Sequence, residues 1–247
     1  MLIGLFTDSH YCRDEVRCRT RRPILSLQKI RQALEYFQSA GVDMCICLGD
    51  LTDSSDTKEE SKACLQEIMD LVHSCSFPFC CVPGNHDYVD FTGEVFYEMT
   101  DSSAPPYSIT TPTHQLIVLD ANYRGDYRRF DVAGVEWTDS NLPPEQVSFL
   151  QKALEQAEKP CLVLIHENLD EHVPKDHIVH GADRIRGILE KSGKVAMVIQ
   201  GHYHAGGEHE IQGIRYATLP AMCEGEENRF ALLRLDENGV TLEQFEQ

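Results

Sequence analysis

The sequence has no long apolar run, no Cys-x-x-Cys pair and no excess of basic residues. A membrane-spanning helix needs about 20 consecutive apolar residues, and no stretch approaches that length. The apolar start, Met1 to Phe6, is too short for a signal-peptide core and has no basic leader, so we interpret it as a first strand and expect a cytoplasmic protein. The absence of an internal repeat, a low-complexity tract or a linker favours a single domain over residues 1–247.

Acidic residues outnumber basic ones by 40 to 22, and the formal net charge is −18. Proteins that bind nucleic acids normally present a basic face, so neither DNA, RNA nor an anionic membrane is an expected partner. A small anionic substrate is compatible with this charge if arginines are concentrated locally. The charge says nothing about oligomeric state.

Ten cysteines are present, but their placement does not indicate a disulfide framework. Cys45 and Cys47 alternate within one apolar run, and Cys80, Cys81 and Cys161 lie in or at the start of others. A free thiol in such a run acts as a small hydrophobic side chain. Without an export signal we therefore predict reduced, buried thiols, and the missing Cys-x-x-Cys pair argues against a structural zinc site.

Short apolar runs alternate with amphipathic stretches along the first half of the chain. This strand, helix, strand rhythm predicts parallel strands joined by crossover helices. We predict strands at 2–6, 44–48, 79–82, 107–110, 115–119, 162–165 and 195–199, and helices at 26–40, 58–73, 143–158 and 182–191. Four short antiparallel strands are predicted after these, at 208–211, 214–219, 230–235 and 240–245.

Short motifs rich in Asp, His and Asn come directly after, or just beyond, predicted strands. The carboxyl ends of parallel strands share one edge of a sheet, so residues remote in sequence are expected to meet there. A mixture of imidazole nitrogens and carboxylate or amide oxygens suits manganese, iron or zinc better than calcium. The motifs are Asp8-Ser9-His10, Gly49-Asp50-Leu51-Thr52-Asp53, Gly84-Asn85-His86-Asp87, the single His166, and Gly201-His202-Tyr203-His204.

The order of these motifs resembles the calcineurin-like metallophosphoesterase superfamily over nearly the whole chain, from residue 2 to about 245. The resemblance implies an α/β fold, a four-layer α-β-β-α sandwich of two mixed β-sheets flanked by helices. It also implies two divalent or trivalent metal ions (manganese, iron or zinc) and attack on phosphorus by a metal-bound hydroxide. Through the family, Asp8, His10, Asp50 and His204 would hold one metal, and Asp50, Asn85, His166 and His202 the other. Asp50 would bridge, since a carboxylate has two oxygens and an imidazole donates to one ion only.

The resemblance gives catalytic roles to His86 and Asp53. His86 would protonate or steady the leaving oxygen, and Asp53 would hydrogen-bond His86 and fix its tautomer. From the residues alone, Asp53 could instead cap the following polar turn. A lone His at the end of a strand is often structural, so His172 is the reserve ligand should His166 not serve.

Arginines crowd the segment after the first motif and the segment after the strand at 115–119. Guanidinium groups grip phosphate in a bidentate way, so we predict that Arg13, Arg22 and Arg124 contact the substrate. Each could equally pair with surface carboxylates. Tyr11 and Tyr123 could stack on a base or simply pack. We interpret the acidic stretch Glu224, Glu226 and Glu227 as a solvated loop.

The function favoured by these observations is hydrolysis of a small-molecule phosphodiester, pyrophosphate or phosphomonoester, with nucleotides included. The alternatives are a nuclease of the same superfamily and a non-catalytic scaffold that binds a protein. Ser54 stands where protein phosphatases of the superfamily have Arg, and Asp53 stands where purple acid phosphatases have Tyr, so both branches are disfavoured. The scaffold is disfavoured because no ligand position is missing.

Overall fold

A computed structural model describes residues 1–131 and 136–247. The strands are β1 Leu2–Phe6, β2 Met44–Cys47, β3 Phe79–Cys81, β4 Tyr107–Thr110, β5 Gln115–Val118, β6 Cys161–Leu164, β7 Val195–Gln200, β8 Gly207–Ile211, β9 Ile214–Thr218, β10 Arg229–Asp236 and β11 Gly239–Glu246. The helices are α1 Ser26–Ala40, α2 Lys58–His73, α3 Gly93–Thr100, α4 Pro144–Gln156 and α5 Ala182–Ser192, and short 3-10 helices lie at Pro23–Leu25, His86–Tyr88 and Lys175–His177.

The strands form two mixed sheets. The first has the order β11-β10-β1-β2-β3, in which β1, β2 and β3 run parallel while β10 and β11 pair antiparallel. The second has the order β4-β5-β6-β7-β9-β8, with β5, β6, β7 and β9 parallel and an antiparallel strand at each edge. The strands that precede the motifs are therefore neighbours within their sheets, and their carboxyl ends share a rim.

Three apolar clusters separate the layers. Ile46 of the first sheet and Leu164 of the second belong to a central cluster between the sheets. Phe37 of α1 and Ile68 of α2 bury the outer face of the first sheet, while α4 and α5 bury that of the second. Burial of each Leu, Ile or Phe side chain contributes about 1.5–3 kcal/mol. The predicted α-β-β-α sandwich is confirmed.

Two features differ from the predicted elements. Helix α3 was not predicted, because an eight-residue helix that begins at Gly93 is too short to show a clear period; the Thr92 hydroxyl caps it by accepting from the Val95 N–H. Strand β9 pairs antiparallel with β8, as predicted, but also runs parallel to β7. The other predicted boundaries agree with the structure to within two residues.

The ten cysteines are all unpaired, and eight of them are buried, which confirms the prediction of buried thiols for those eight. Cys18 is exposed and Cys75 is half-buried. Across residues 1–131 and 136–247, no helix combines the length and the apolar character needed to cross a membrane.

Candidate metal centre

The two sheets contribute ligand candidates to one buried cluster at the strand-end rim. Asp50 Oδ2, after β2, lies 3.3 Å from His10 Nε2 and 3.4 Å from His166 Nε2, which follows β6 in the other sheet. Asp8 Oδ1, after β1, lies 3.4 Å from His204 Nε2. All seven predicted ligand residues are in this region: Asp8, His10, Asp50, Asn85, His166, His202 and His204.

In Asp8 and Asp50, one carboxylate oxygen faces the cluster and the other accepts hydrogen bonds from neighbouring residues. Asp8 Oδ2 accepts from the Thr7 hydroxyl at 2.6 Å and from the His202 N–H at 3.1 Å, leaving Oδ1 facing the imidazoles. Asp50 Oδ1 accepts from the His86 N–H at 2.8 Å, leaving Oδ2. Both oxygens of Asp50 are expected to be available for bridging, whereas in the structure Oδ2 alone faces both His10 and His166.

The backbone at the cluster is strained. Asp8, His10, Asp50 and His202 have positive φ angles of 52°, 45°, 54° and 67°, in the left-handed region that non-glycine residues rarely adopt. Each such residue costs about 1–3 kcal/mol and persists only where the surrounding structure holds it. These four turns let the chain leave a strand and still aim a side chain back over the rim.

Two glycines in the motifs are required by close contacts. A Cβ at Gly84 would overlap the carboxylate of Asp50, and a Cβ at Gly49 would overlap the ring of His166. Gly49 also has a φ of 103°, which strains any other residue. The glycines before Asp50 and Asn85 therefore make room for neighbouring ligand candidates.

Hydrogen bonds orient two of the imidazoles. Nδ1 of His166 lies 2.6 Å from the Leu48 carbonyl, which can only accept, so Nδ1 carries a proton and Nε2 is the atom turned toward the cluster. Nδ1 of His204 likewise donates to Glu224 at 2.8 Å. Nε2 of His204 lies only 3.2 Å from Nε2 of His10. Such partners fix the tautomer of metal-ligating histidines.

The buried carboxylates of Asp8 and Asp50 are held in the ionised form. Burial alone would raise the pKa of Asp8 and Asp50, but the imidazoles, His166 foremost, hold both pKa values well below the ordinary range. Burial would lower the pKa of His166, yet the charges of Asp50 and Asp8 raise it well above its usual value. The two carboxylates therefore favour a positive charge between them, either on the imidazoles or on a bound cation.

Several buried polar atoms at the cluster accept no well-aligned hydrogen bond from the described part of the chain. These atoms are Asp8 Oδ1, Asn85 Oδ1 and His166 Nε2. Buried acceptors are normally paired, and an unpaired one costs about 1–3 kcal/mol. Lone pairs from carboxylate, amide and imidazole that converge on one place fit a pair of borderline cations.

Asp87 is a residue that the sequence reasoning left without a role. Its carboxylate is fully buried and accepts from the backbone N–H groups of Asp50, Leu51 and Gly84 at 2.8–2.9 Å. Burial, with the charge of Asp50 next, raises the pKa of Asp87 to about 7. Asp87 therefore ties the turn after β2 to the turn after β3. Its position directly after His86 in the motif is the sequence signal that could have identified Asp87 as part of the site.

His86 and Asp53 are hydrogen-bonded partners. His86 Nδ1 lies 3.0 Å from Asp53 Oδ1, which also accepts from the Ser54 N–H at 2.9 Å, so the carboxylate both contacts His86 and caps its own turn. Arg17 Nη1 lies 2.9 Å from the same oxygen. Burial lowers the pKa of His86, but the carboxylates of Asp50 and Asp53 outweigh it and raise the pKa.

The interpretation of the acidic stretch was wrong for Glu224. Its carboxylate is half-buried and accepts from His204, whereas Glu226 and Glu227 are exposed. The hydrogen bond from His204 is the first cause that lowers the pKa of Glu224 to about 2. Only the path of the loop after β9 brings Glu224 beside His204, so composition alone could not have found it.

The three predicted substrate arginines do not line the cavity above the cluster. Arg13 is half exposed and lies 2.7 Å from Glu67, and Arg124 lies 3.7 Å from Asp126. The Arg22 N–H donates to the Cys223 carbonyl, on the segment next to the cavity. Surface carboxylates thus engage Arg13 and Arg124, which was the open alternative. A contact of any of the three with substrate stays a prediction.

A cavity of about 510 Å³ opens directly onto the cluster. Arg21 lines it, because backbone bridges pair Arg21 with both Arg17 and Glu224. His177, at the end of the 3-10 helix Lys175–His177, lines it as well. The described lining residues are Cys18, Arg21, Asp50, Asn85, His86, Trp137, Asp176, His177, His202, Tyr203, His204, Ala205 and Glu224.

The reserve ligand and the two tyrosines have other partners. His172 joins Asp170 and His209 in a separate group, in which both rings bond the one carboxylate and stack 4.5 Å apart. The Tyr11 hydroxyl donates to Glu67, and Tyr123 accepts from Arg129. Tyr11 is buried, which favours packing for this residue, and neither tyrosine lines the cavity. Base stacking by Tyr123 stays a prediction.

Comparison with known proteins agrees with this geometry. The family model for calcineurin-like phosphoesterases matches residues 1–206. The chain belongs to the calcineurin-like phosphoesterase family. It is therefore a hydrolase that acts on phosphate esters, and the family implies two divalent metal ions.

The relatives of this phosphoesterase include two bacterial proteins. It is 26% identical over 229 residues to the 3',5'-cyclic adenosine monophosphate phosphodiesterase CpdA of Vibrio vulnificus, covering 88% of this chain and 74% of that protein. It is 23% identical over 206 residues to a probable cyclic nucleotide phosphodiesterase of Psychrobacter arcticus, covering 78% of this chain and 67% of that protein.

Solved structures share the fold of this phosphoesterase. A dimetal phosphatase from Danio rerio superposes with a TM-score of 0.85 at 18% identity, covering 100% of this chain and 98% of the other. The purple acid phosphatase PPD1 from yellow lupin gives a TM-score of 0.67 at 13% identity, covering 100% of this chain and 51% of the other. Both confirm two mixed sheets flanked by helices.

Proposed function

We propose that this phosphoesterase hydrolyses a small-molecule phosphodiester, pyrophosphate or phosphomonoester, with nucleotides as the favoured class. The observation that carries the proposal is the position of Asp50, which faces His10 and His166 with Oδ2 while its other oxygen holds the backbone of His86. The candidate metal ligands and the candidate acid thus lie at one cavity. Its volume, about 510 Å³, suits a small ligand. Two relatives are named as cyclic nucleotide phosphodiesterases.

The proposed ligand sets share Asp50. Asp8, His10, Asp50 and His204 would hold one ion, and Asp50, Asn85, His166 and His202 the other. A pair of divalent ions supplies Lewis acidity toward phosphoryl oxygens and lowers the pKa of a bound water. The mixed nitrogen and oxygen donors favour manganese, iron or zinc.

Side chains of the protein would donate the proton to the leaving group and bind the phosphate. His86, with its pKa raised and Nδ1 bonded to Asp53, would keep Nε2 protonated and donate it to the departing oxygen. Asp53 would hold the ring in this orientation, and Arg17 would hold Asp53. Arg21, at the cavity wall, would pair with a phosphoryl oxygen.

Hydrolysis of an aryl phosphodiester and of a nucleotide panel by manganese-loaded protein tests the proposal. We expect chelation to abolish turnover. We also expect Asp50→Asn to lower kcat/KM by more than about 100-fold, because mutation of a residue that only hydrogen-bonds a metal ligand already lowers metal affinity or activity by about 10- to 100-fold. The matched control is Asp70→Asn, an exposed carboxylate of α2 that accepts from Gln66. Equal turnover by wild type and Asp50→Asn, or turnover that survives chelation, would reject the proposal.

A further inference from the structure

A wall of aromatic rings closes one side of the cavity. Trp137 lies 5.1 Å from His177 and 5.5 Å from His202 between ring centroids, and His177 lies 5.2 Å from Tyr203. The interplanar angles are 60–76°, which is edge-to-face packing. We call Trp137, His177 and Tyr203 the aromatic wall.

Core packing does not account for the aromatic wall. Trp137 is 40% exposed, although it is the one tryptophan of the sequence and offers a large apolar surface. The aromatic rings that it contacts among the described residues are the imidazoles of His177 and His202. An exposed indole that borders a functional cavity is the kind of surface that a ligand covers.

The aromatic wall borders the candidate metal ligands at His202. Trp137 contacts the ring of His202, one of the candidate ligands. Arg21 lines the same cavity, with Nη1 3.7 Å from Asp53, the carboxylate bonded to His86. A phosphate bound at the ligand cluster would therefore have both Arg21 and the aromatic wall within the same cavity.

We propose that the aromatic wall binds the base of a nucleotide substrate by stacking, chiefly on Trp137; this inference rests on the proposed function. Every base has a π-face, and stacking on an aromatic side chain is worth about 1–3 kcal/mol per base. A second phosphate is disfavoured here, because Asp176 lines the same part of the cavity and bonds Nδ1 of His177 at 2.9 Å. The substrate class is thus a nucleoside phosphate ester rather than a sugar phosphate.

Because Trp137 is the one tryptophan, its fluorescence reports directly on this wall. Metal-loaded protein would be titrated with the phosphonate analogue of adenosine monophosphate and, separately, with that of ribose phosphate. Excitation at the red edge of the indole band avoids absorption by adenine. We expect saturable quenching by the adenosine analogue and about tenfold weaker binding of the ribose analogue. An equal response to both analogues, or none, would overturn the proposal.

Variants test the same inference without the fluorescence of Trp137. The ratio of kcat/KM for a nucleoside phosphodiester to that for a dialkyl phosphodiester should fall about tenfold in Trp137→Ala. Trp137→Phe should restore most of the ratio, since it keeps a π-face. The matched control is Tyr127→Ala, whose ring is 50% exposed but does not line the cavity. An unchanged ratio in a folded Trp137→Ala protein would overturn the proposal.

The two proposals fail differently. Quenching by the adenosine analogue without metal-dependent hydrolysis would reject the proposed function and leave the aromatic wall as a nucleotide site. Hydrolysis of diesters that is indifferent to the base, with no change in Trp137→Ala, would keep the proposed function and reject the role of the wall.

Discussion

Glu224 Oε1 accepts a hydrogen bond from Nδ1 of His204 over 2.8 Å. The bond leaves Nε2 of His204 facing Asp8 Oδ1, 3.4 Å away. Glu224, in the loop after β9, thus orients His204, a candidate metal ligand that follows β7. The contact matters for metal affinity because the bonded carboxylate fixes the tautomer of the ring and raises its basicity.

Removal of this carboxylate should weaken one metal site. We expect Glu224→Ala to lower the affinity of the site that contains His204 by about 10- to 100-fold, and Glu224→Gln to lower it less because an amide oxygen can still accept. Calorimetric titration of metal-free protein with manganese measures the change. Glu226→Ala, a neighbouring exposed carboxylate, is the control. Equal affinities in Glu224→Ala and Glu226→Ala would contradict the role given to Glu224.

His86 should matter most for substrates with poor leaving groups. An alkyl alcohol needs a proton as it departs, whereas nitrophenolate does not, so His86→Ala should lower kcat for alkyl esters by about 100- to 10,000-fold and for nitrophenyl esters much less. Rates across a series of leaving groups measure this dependence. Elemental analysis serves as the control, since the metal content of His86→Ala should match that of wild type. A uniform loss across the series would point to a positional role for His86 instead.

Metal removal should destabilise the fold. The buried carboxylates of Asp8 and Asp50 are ionised, and a cation bound between them stabilises only the folded chain. At a free metal concentration of about 100 times Kd, the gain in unfolding free energy is about 2.7 kcal/mol. Thermal unfolding with and without manganese, after chelation, measures it. Asp50→Asn should show a smaller manganese-dependent shift in Tm, and an identical shift would mean that the metal binds elsewhere.

Substitution of Gly84 by Ala should impair the metal site, whereas the same substitution at Gly187 should stabilise the fold. In Gly84→Ala the new Cβ overlaps the carboxylate of Asp50, so manganese binding and hydrolysis should both fall. In Gly187→Ala, within α5, the Cβ meets no neighbour, and the helix should be stabilised by about 0.5–1 kcal/mol. Metal titration and urea unfolding of the two variants measure these effects. Full metal binding by Gly84→Ala would show that the turn after β3 can move aside.

The sequence predicted most of the fold because strands and helices leave local patterns. The runs before Asp8, Asp50 and His166 are short and apolar, and each forms a buried strand. The motifs that contain the ligand candidates were found for the same reason, since each lies within a few residues of a strand end, and the family resemblance then assigned the individual ligands. Parallel pairing then brings those ends to one rim.

Residues far from a strand end could not be placed in this way. Trp137, Arg21 and Glu224 reach the cavity through loops, and a loop has no period that predicts its path. The arginines between residues 13 and 22 are an example: the sequence does not distinguish them, whereas in the structure Arg21 pairs with Glu224 through the backbone and lines the cavity.

By itself, the sequence determined the α/β architecture and the group of Asp, His and Asn side chains, because both follow from hydrophobic period and from motifs attached to strands. The tertiary structure alone decided which oxygen of Asp50 faces the cluster, which carboxylate orients His204, and which aromatic rings border the cavity. The physical reason is that a strand end is set by local burial, whereas the contacts of a loop depend on every layer beneath it.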